Sequence, residues 1–150
     1  ARLQENLDKL ATQDLSGPFF LFIAHSIPAQ MSEQSGYHKQ FMRTISLVAQ
    51  KCGLRHFSFC YLSQSHRPGE EWLGPNIQSA LQEIDNVTFK NVVFVPVGFI
   101  HDNVEIVYDL DMEARAQAEA RGFNYFRSLT VMDHPKFIQM IGEQICPLLK

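Results

Sequence analysis

The stretch Phe19-Phe20-Leu21-Phe22-Ile23-Ala24 runs six apolar residues without a polar interruption and passes straight into His25-Ser26-Ile27-Pro28. A strand with one wet face alternates apolar and polar side chains. An unbroken run bounded by turn residues reads instead as a strand covered on both faces, as in a parallel sheet. Outward from it, Tyr37, Phe41, Ile45, Val48 and Cys52 recur at three- and four-residue spacing, which predicts a helix from about Gly36 to Cys52, stopped by Gly53. His56 to Leu62 reads as a second strand. Ile77, Ala80, Leu81 and Ile84 mark a short helix, and Asn91 to Val97 a third strand. A long helix is expected from about Asp102 to Arg121 with Gly122 at its end, then a fourth strand near Tyr125 to Leu129. The last helix opens at Asp133-His134-Pro135, where proline suits the first turn, and is expected to carry Phe137, Ile138, Ile141 and Ile145 inward. Residues 1 to 12 read as a weakly patterned lead-in helix. Strands alternating with helices give the fold class: α/β, a four-stranded parallel sheet with helices on both faces, a flavodoxin-like three-layer α/β/α domain.

All 150 residues fit one such domain, without repeats, low-complexity tracts or linkers. With 13 Lys+Arg against 16 Asp+Glu the formal charge is −3, which argues against nucleic acid as a partner. The apolar runs are too short to span a membrane, which leaves only a peripheral membrane contact open. The three cysteines, Cys52, Cys60 and Cys146, have neither C-x-x-C nor metal-ligand spacing and read as reduced thiols of a cytoplasmic protein. No signal-peptide pattern opens the sequence. A start at Ala1 fits either methionine removal or a piece cut from something longer.

In small doubly wound sheets, ligands sit beyond the carboxyl ends of the strands where the strand order reverses, commonly between the first and third strands. Those ends are Ala24 to Pro28 and Pro96 to Glu105. His25 follows a rigid buried strand, where its imidazole would serve as proton carrier or metal ligand; the plainer reading is a strand-end histidine bonded to nearby backbone. Ser26 and Pro28 shape the turn, and Ser26 is placed to orient the ring. On the helix after the third strand, Glu105, Asp109 and Glu113 recur at i, i+4 and i+8 and share one stripe spread over roughly 80°. Ile106 and Leu110 border the stripe on one side, Tyr108 and Met112 on the other. Like charges at this spacing are mildly destabilising unless a cation or a proton joins them. For Glu105 there is a second explanation, since Asp102-Asn103-Val104-Glu105 fits a capping box with Asp in the cap position. Asp111 is expected to point elsewhere and be solvated.

The loop from Gln64 to Pro75 is rich in turn residues and carries the sole tryptophan, Trp72. It suits one lip of a cleft, with Trp72 either touching a planar ligand or, the better fit for a lone Trp, packing the loop onto the body. Gln30 to Gly36 suits a flexible polar lip and matches no phosphate-binding loop, which leaves a flavin-mononucleotide carrier the weakest reading. His38, His56, His66 and His134 have no partner at ligand spacing and read as surface or capping residues.

At these residues the sequence resembles ferrochelatase, the heme-pathway enzyme that inserts ferrous iron into a porphyrin. The matching stretches are Phe22 to Pro28, Gln64-Ser65 with Trp72-Leu73-Gly74-Pro75, and Val95 to Glu113, with the closing Phe137 segment, in the expected order. The resemblance implies a chelatase-like domain equivalent to the second of the two similar domains of that family, the first being absent. It implies His25 and Glu105 as catalytic residues facing one another across the porphyrin cleft. Asp109 and Glu113 would join them as metal contacts along a helix with a π-type turn, a path for metal or protons, and Ser26, Gln64, Ser65 and Trp72 would lie at the cleft lip. Fe²⁺ is then the substrate metal and a porphyrin, protoporphyrin IX or coproporphyrin III, the other substrate. No iron–sulfur cluster is expected, because the cysteines some members carry after the last helix have no counterpart before Lys150. Departures are Ser35-Gly36-Tyr37-His38 where the family has Gly-Asp-Pro-Tyr, the order Pro68-Gly69, and Glu71 before Trp72. The missing wall of the cleft would come from the absent domain or, in a small homodimeric chelatase of the sirohydrochlorin type, from a second copy. A non-catalytic metal- or porphyrin-binding half-module is the other alternative.

Overall fold

The structure of the chain, a computed structural model, describes Leu3 and residues 17–65 and 68–149. Four parallel strands, β1 (Phe19–His25), β2 (Phe57–Leu62), β3 (Asn91–Val95) and β4 (Asn124–Arg127), form one sheet in the order β2-β1-β3-β4. The expected α/β class and parallel sheet are what the chain adopts. Leu21 and Ile23 point to one face and Phe20, Phe22 and Ala24 to the other, all of them buried, which is why the run has no polar member. Each of the four larger side chains contributes about 1.5–3 kcal/mol by leaving water.

The second face is covered by α2 (Tyr37–Cys52), through Phe41 and Ile45. The first is covered by α3 (Ile77–Gln82) and by the helical stretch after β3. That stretch begins as α4 (Val104–Ile106), widens into a π-helix (Val107–Ala114) and closes as α5 (Arg115–Ala120). Its buried line is Ile106, Leu110, Ala114 and Ala118, a four-residue repeat. A regular α-helix would rotate that line steadily off the sheet, and the wider turns of the π-segment take the rotation back.

Several expectations are corrected. Gln30 to Gly36 is largely the helix α1 (Ala29–Ser35), not a flexible lip; it starts after Pro28 and ends where Gly36 takes the left-handed φ of 69° that a residue without Cβ adopts freely. β3 stops at Val95, because Pro96 has no N–H to continue the ladder. The helix after it is capped by Asn103, whose Oδ1 accepts the Ile106 N–H at 2.9 Å, so Asp102 is not the cap of a capping box. In α6 (Pro135–Ile145), Phe137 and Ile141 are half-buried, whereas Ile138 and Ile145 are exposed at 53% and 47%. The helix thus meets the body along one edge instead of its whole apolar stripe. The lead-in helix falls outside the described residues except for Leu3, which is helical and buried. His66 also lies outside them. Among the described residues no helix is long and apolar enough to cross a membrane.

Candidate active site

The strand order reverses between β1 and β3, and the residues singled out at their ends meet there. His25 ends β1 and pairs in register with Leu62 of β2, so the next residue, Ser63, emerges at the same level of the sheet. Beyond β3, Gly98 crosses close over β1 and donates its N–H to Ile23 at 3.0 Å. A Cβ there would stand 2.6 Å from Ala24, so the crossing needs glycine. This crossing carries the chain over β1 toward Glu105.

His25 Nε2 stands 3.2 Å from Glu105 Oε1, with 39% and 34% of the two side chains exposed, enough to admit a ligand. His25 Nδ1 lies 2.5 Å from the carbonyl oxygen of Ser26. A carbonyl only accepts, so Nδ1 carries the hydrogen and Nε2 faces Glu105 with a lone pair or a second proton. Two acceptors at 3.2 Å need a proton or a cation between them. Tyr37 steadies the backbone here by donating its hydroxyl to the His25 carbonyl at 2.9 Å, and burial pushes that phenol above its ordinary pKa.

The same logic extends along the helix. Ser63 Oγ is 2.5 Å from Glu105 Oε1 and 3.0 Å from Asp109 Oδ2. One hydroxyl hydrogen is shared between two carboxylates, so the pair has more acceptors than donors and suits a further proton or cation. Partial burial raises the Asp109 pKa above the usual carboxylate value, and Glu105 and Glu113 add to the rise against the opposing pull of Ser63 and His25. Asp109 and Glu113 line a cavity of about 430 Å³ together with Ser63, Gln64, Asn76 and Gln117. Among the described residues, no three His, Cys, Asp or Glu side chains are gathered closely enough to hold a metal ion. The four acidic and imidazole groups form a chain of neighbours, not a cage.

Of the lip residues, Gln64 lines this cavity and Ser65 lies beside it, half-buried. Ser26 is corrected: it is fully buried, its hydroxyl donates to Leu73 O at 2.7 Å, and it orients His25 through its carbonyl. Trp72 is half-buried and bridges to Pro28, with further bonds from Leu73 N to Ile27 O and from Ala29 N to Glu71 O. The loop is thereby stitched to the end of β1 through its backbone, while the Trp72 indole N–H donates to Glu70 within the loop at 3.0 Å. His134 caps α6 as expected, its Nδ1 accepting from Lys136 N. His38 shares a hydrogen with the Tyr61 hydroxyl at 2.6 Å.

Two features escape the sequence reading. Ser63 gives no sign of its place because its φ of 56°, rare for a non-glycine residue, is what swings it between two carboxylates from another element. Its position one residue past the second strand was the available signal. Asp111, expected to be solvated, is held by Arg127 through bonds of 2.7 and 2.9 Å, since it faces β4 while Asp109 faces β2.

The family model described as Ferrochelatase matches residues 1–147. The chain is 34% identical over 145 residues to the ferrochelatase of Rhodopirellula baltica, covering 94% of this chain and 41% of that protein. It is 28% identical over 151 residues to the coproporphyrin III ferrochelatase of a Geobacillus species, 99% of this chain and 48% of the relative. Against the coproporphyrin III ferrochelatase of Mycobacterium tuberculosis the values are 35% over 123 residues, 80% and 36%. The chain spans less than half the length of these curated relatives.

Proposed function

The chain belongs to the ferrochelatase family, and from that premise we propose that it is the half of a ferrochelatase that carries the His25–Glu105 pair and inserts ferrous iron into a porphyrin for heme synthesis. The observation that carries the reading is the 3.2 Å approach of His25 Nε2 to Glu105 Oε1 at the crevice between β1 and β3, with the other ring nitrogen already committed. Insertion of Fe²⁺ strips water from the metal and releases two pyrrole protons. Nε2 of His25 and the carboxylates of Glu105, Asp109 and Glu113 supply acceptors for both. A metal held here by one or two protein donors is held weakly enough to pass to four pyrrole nitrogens.

The porphyrin is protoporphyrin IX or coproporphyrin III, and two of the relatives are named for the second. The other wall of the cleft belongs in this reading to a further domain, in keeping with the 36–48% of the relatives' length that the chain spans. The three free thiols fit a reducing compartment, and we place the protein in the cytoplasm.

The test is anaerobic metallation followed by porphyrin absorbance, using the natural protein, Fe²⁺ or Zn²⁺, and each porphyrin in turn. His25→Ala is expected to keep the far-ultraviolet dichroism of the parent and to lose turnover. Retained turnover in the folded variant overturns the assignment. Tight porphyrin binding without any metallation by the parent favours a binding module instead.

A further inference from the structure

Asp102, Asp111 and Arg127 take no part in the chemistry above, yet they form the most fully paired ionic cluster of the described residues. Arg127 ends β4 at the edge of the sheet. Its Nε and Nη2 donate to the two carboxylate oxygens of Asp111 at 2.7 and 2.9 Å, and its Nη1 donates to Asp102 Oδ1 at 3.0 Å. Only 10% of the Arg127 side chain is exposed. Asp102 also accepts the Thr130 N–H, and Asp111 the Tyr125 hydroxyl, each at 3.3 Å. Arg115 stacks over the Tyr125 ring at 4.7 Å and donates Nε to the Asp111 carbonyl.

The two aspartates bracket Glu105 and Asp109 in the chain. Asp102 precedes the N-cap, and Asp111 sits inside the π-segment. A single planar guanidinium therefore grips the helix at Asp111 and the segment leading into it at Asp102, from the β4 side. The buried line Ile106, Leu110, Ala114 and Ala118 presses the helix onto the sheet, but apolar contact is non-directional and half of this line is alanine. It sets a distance and leaves rotation and axial slip to directional bonds. A two-pronged arginine–carboxylate pair is such a bond, with a geometry that lysine does not reproduce. π-turns are rare within helices, and this one carries Asp111, the bidentate partner of Arg127.

We propose that Arg127 is a positioning residue: by clamping Asp102 and Asp111 to the end of β4, it fixes the rotation and axial position of the carboxylate-bearing helix and so keeps Glu105 within reach of His25. The catalytic side of this inference rests on the chelatase reading, while its geometric side does not. A misplacement of about 1 Å at a reacting centre costs on the order of 10²-fold in rate.

The experiment uses the natural protein and Zn²⁺ insertion into protoporphyrin IX or coproporphyrin III, whichever the parent accepts. Removing Arg127 alone would strand two half-buried carboxylates, so the main variant is the neutral triple Asp102→Asn, Asp111→Asn, Arg127→Gln, with Arg127→Lys beside it. The triple variant is expected to fold, to lose about 10- to 100-fold in kcat with the porphyrin KM within about twofold, and to exchange amides faster at residues 104–114 while β1 and β3 stay protected. Arg127→Lys, which keeps the charge without the fork, is expected to restore part of the kcat. A folded triple variant with kcat within about twofold of the parent overturns the proposal, as does a loss expressed in KM alone. If the parent metallates neither porphyrin, the chelatase reading falls and amide exchange decides the clamp. A rise confined to 104–114 supports it, and unchanged exchange there overturns it.

Discussion

Two sets of carboxylates on one helical stretch live in opposite surroundings. Asp102 and Asp111 face β4 and share the guanidinium of Arg127, each with a further hydrogen-bond donor. Glu105 and Asp109 face the ends of β1 and β2, where Ser63 offers one hydrogen to both and His25 stands at 3.2 Å. The first set is complete within the fold and reads as architecture. The second is partly exposed, shares one hydroxyl and faces an imidazole, and reads as chemistry. Residue type does not separate them, since all four are acidic and lie within ten residues of one another; helical position turns Asp111 away from Asp109, and the partners supplied by other strands decide what each carboxylate does.

Breaking the complete set should cost the most. Arg127→Leu is expected to lose about 2–3 kcal/mol of unfolding free energy, because it strands two half-buried carboxylates, whereas Glu105→Gln on the open set should change stability by less than about 1 kcal/mol. Urea denaturation of the two variants measures both, and equal losses would erase the distinction. Gly98→Ala tests the crossing that brings the chain over β1. Its Cβ would meet Ala24 at 2.6 Å, so a loss of about 1–3 kcal/mol is expected in the same assay.

Smaller effects sharpen the open set. Ser63→Ala and Ser63→Gly both delete the hydroxyl, but only alanine keeps the strain of a positive φ. The glycine variant is therefore expected to be the more stable by about 1 kcal/mol, and the reverse order would mean that Ser63 is not strained. Asp109 has a raised folded pKa, so its neutral form is the one the fold favours. The stability it contributes is present below the unfolded pKa, near 3.9, and is lost as pH rises through the folded value. Asp109→Asn should accordingly stabilise the protein by a few tenths of a kcal/mol at pH 7, screened because the site is partly wet, and the gain should vanish near pH 3. Destabilisation by Asp109→Asn at pH 7 would show that the fold wants the carboxylate ionised.

The sheet and the meeting of His25 with Glu105 were legible because they rest on local pattern plus one topological rule. Six apolar residues in Phe19 to Ala24 declare a doubly covered strand, and the reversal of strand order brings the ends of β1 and β3 together. What was illegible depends on long-range partners or on weak local pattern. α1 has almost no apolar periodicity in Ala29 to Ser35, so its polar residues read as loop. Asp111 looked solvated because its cation lies 16 positions away on β4. Ile138 and Ile145 carry the spacing of an inward face, yet the helix bearing them meets the body only along the edge at Phe137 and Ile141. The π-segment has no residue signature of its own; only the resemblance to a known family pointed to it.

In the proposed function the open set, and not its neighbour, does the chemistry. Glu105→Gln in the natural protein tests it most directly, because the amide keeps the shape and the Ser63 contact while removing the charge. Anaerobic Fe²⁺ insertion is expected to fall by about 10²-fold or more, with porphyrin binding and the unfolding midpoint close to those of the parent. Turnover within tenfold of the parent would contradict the account.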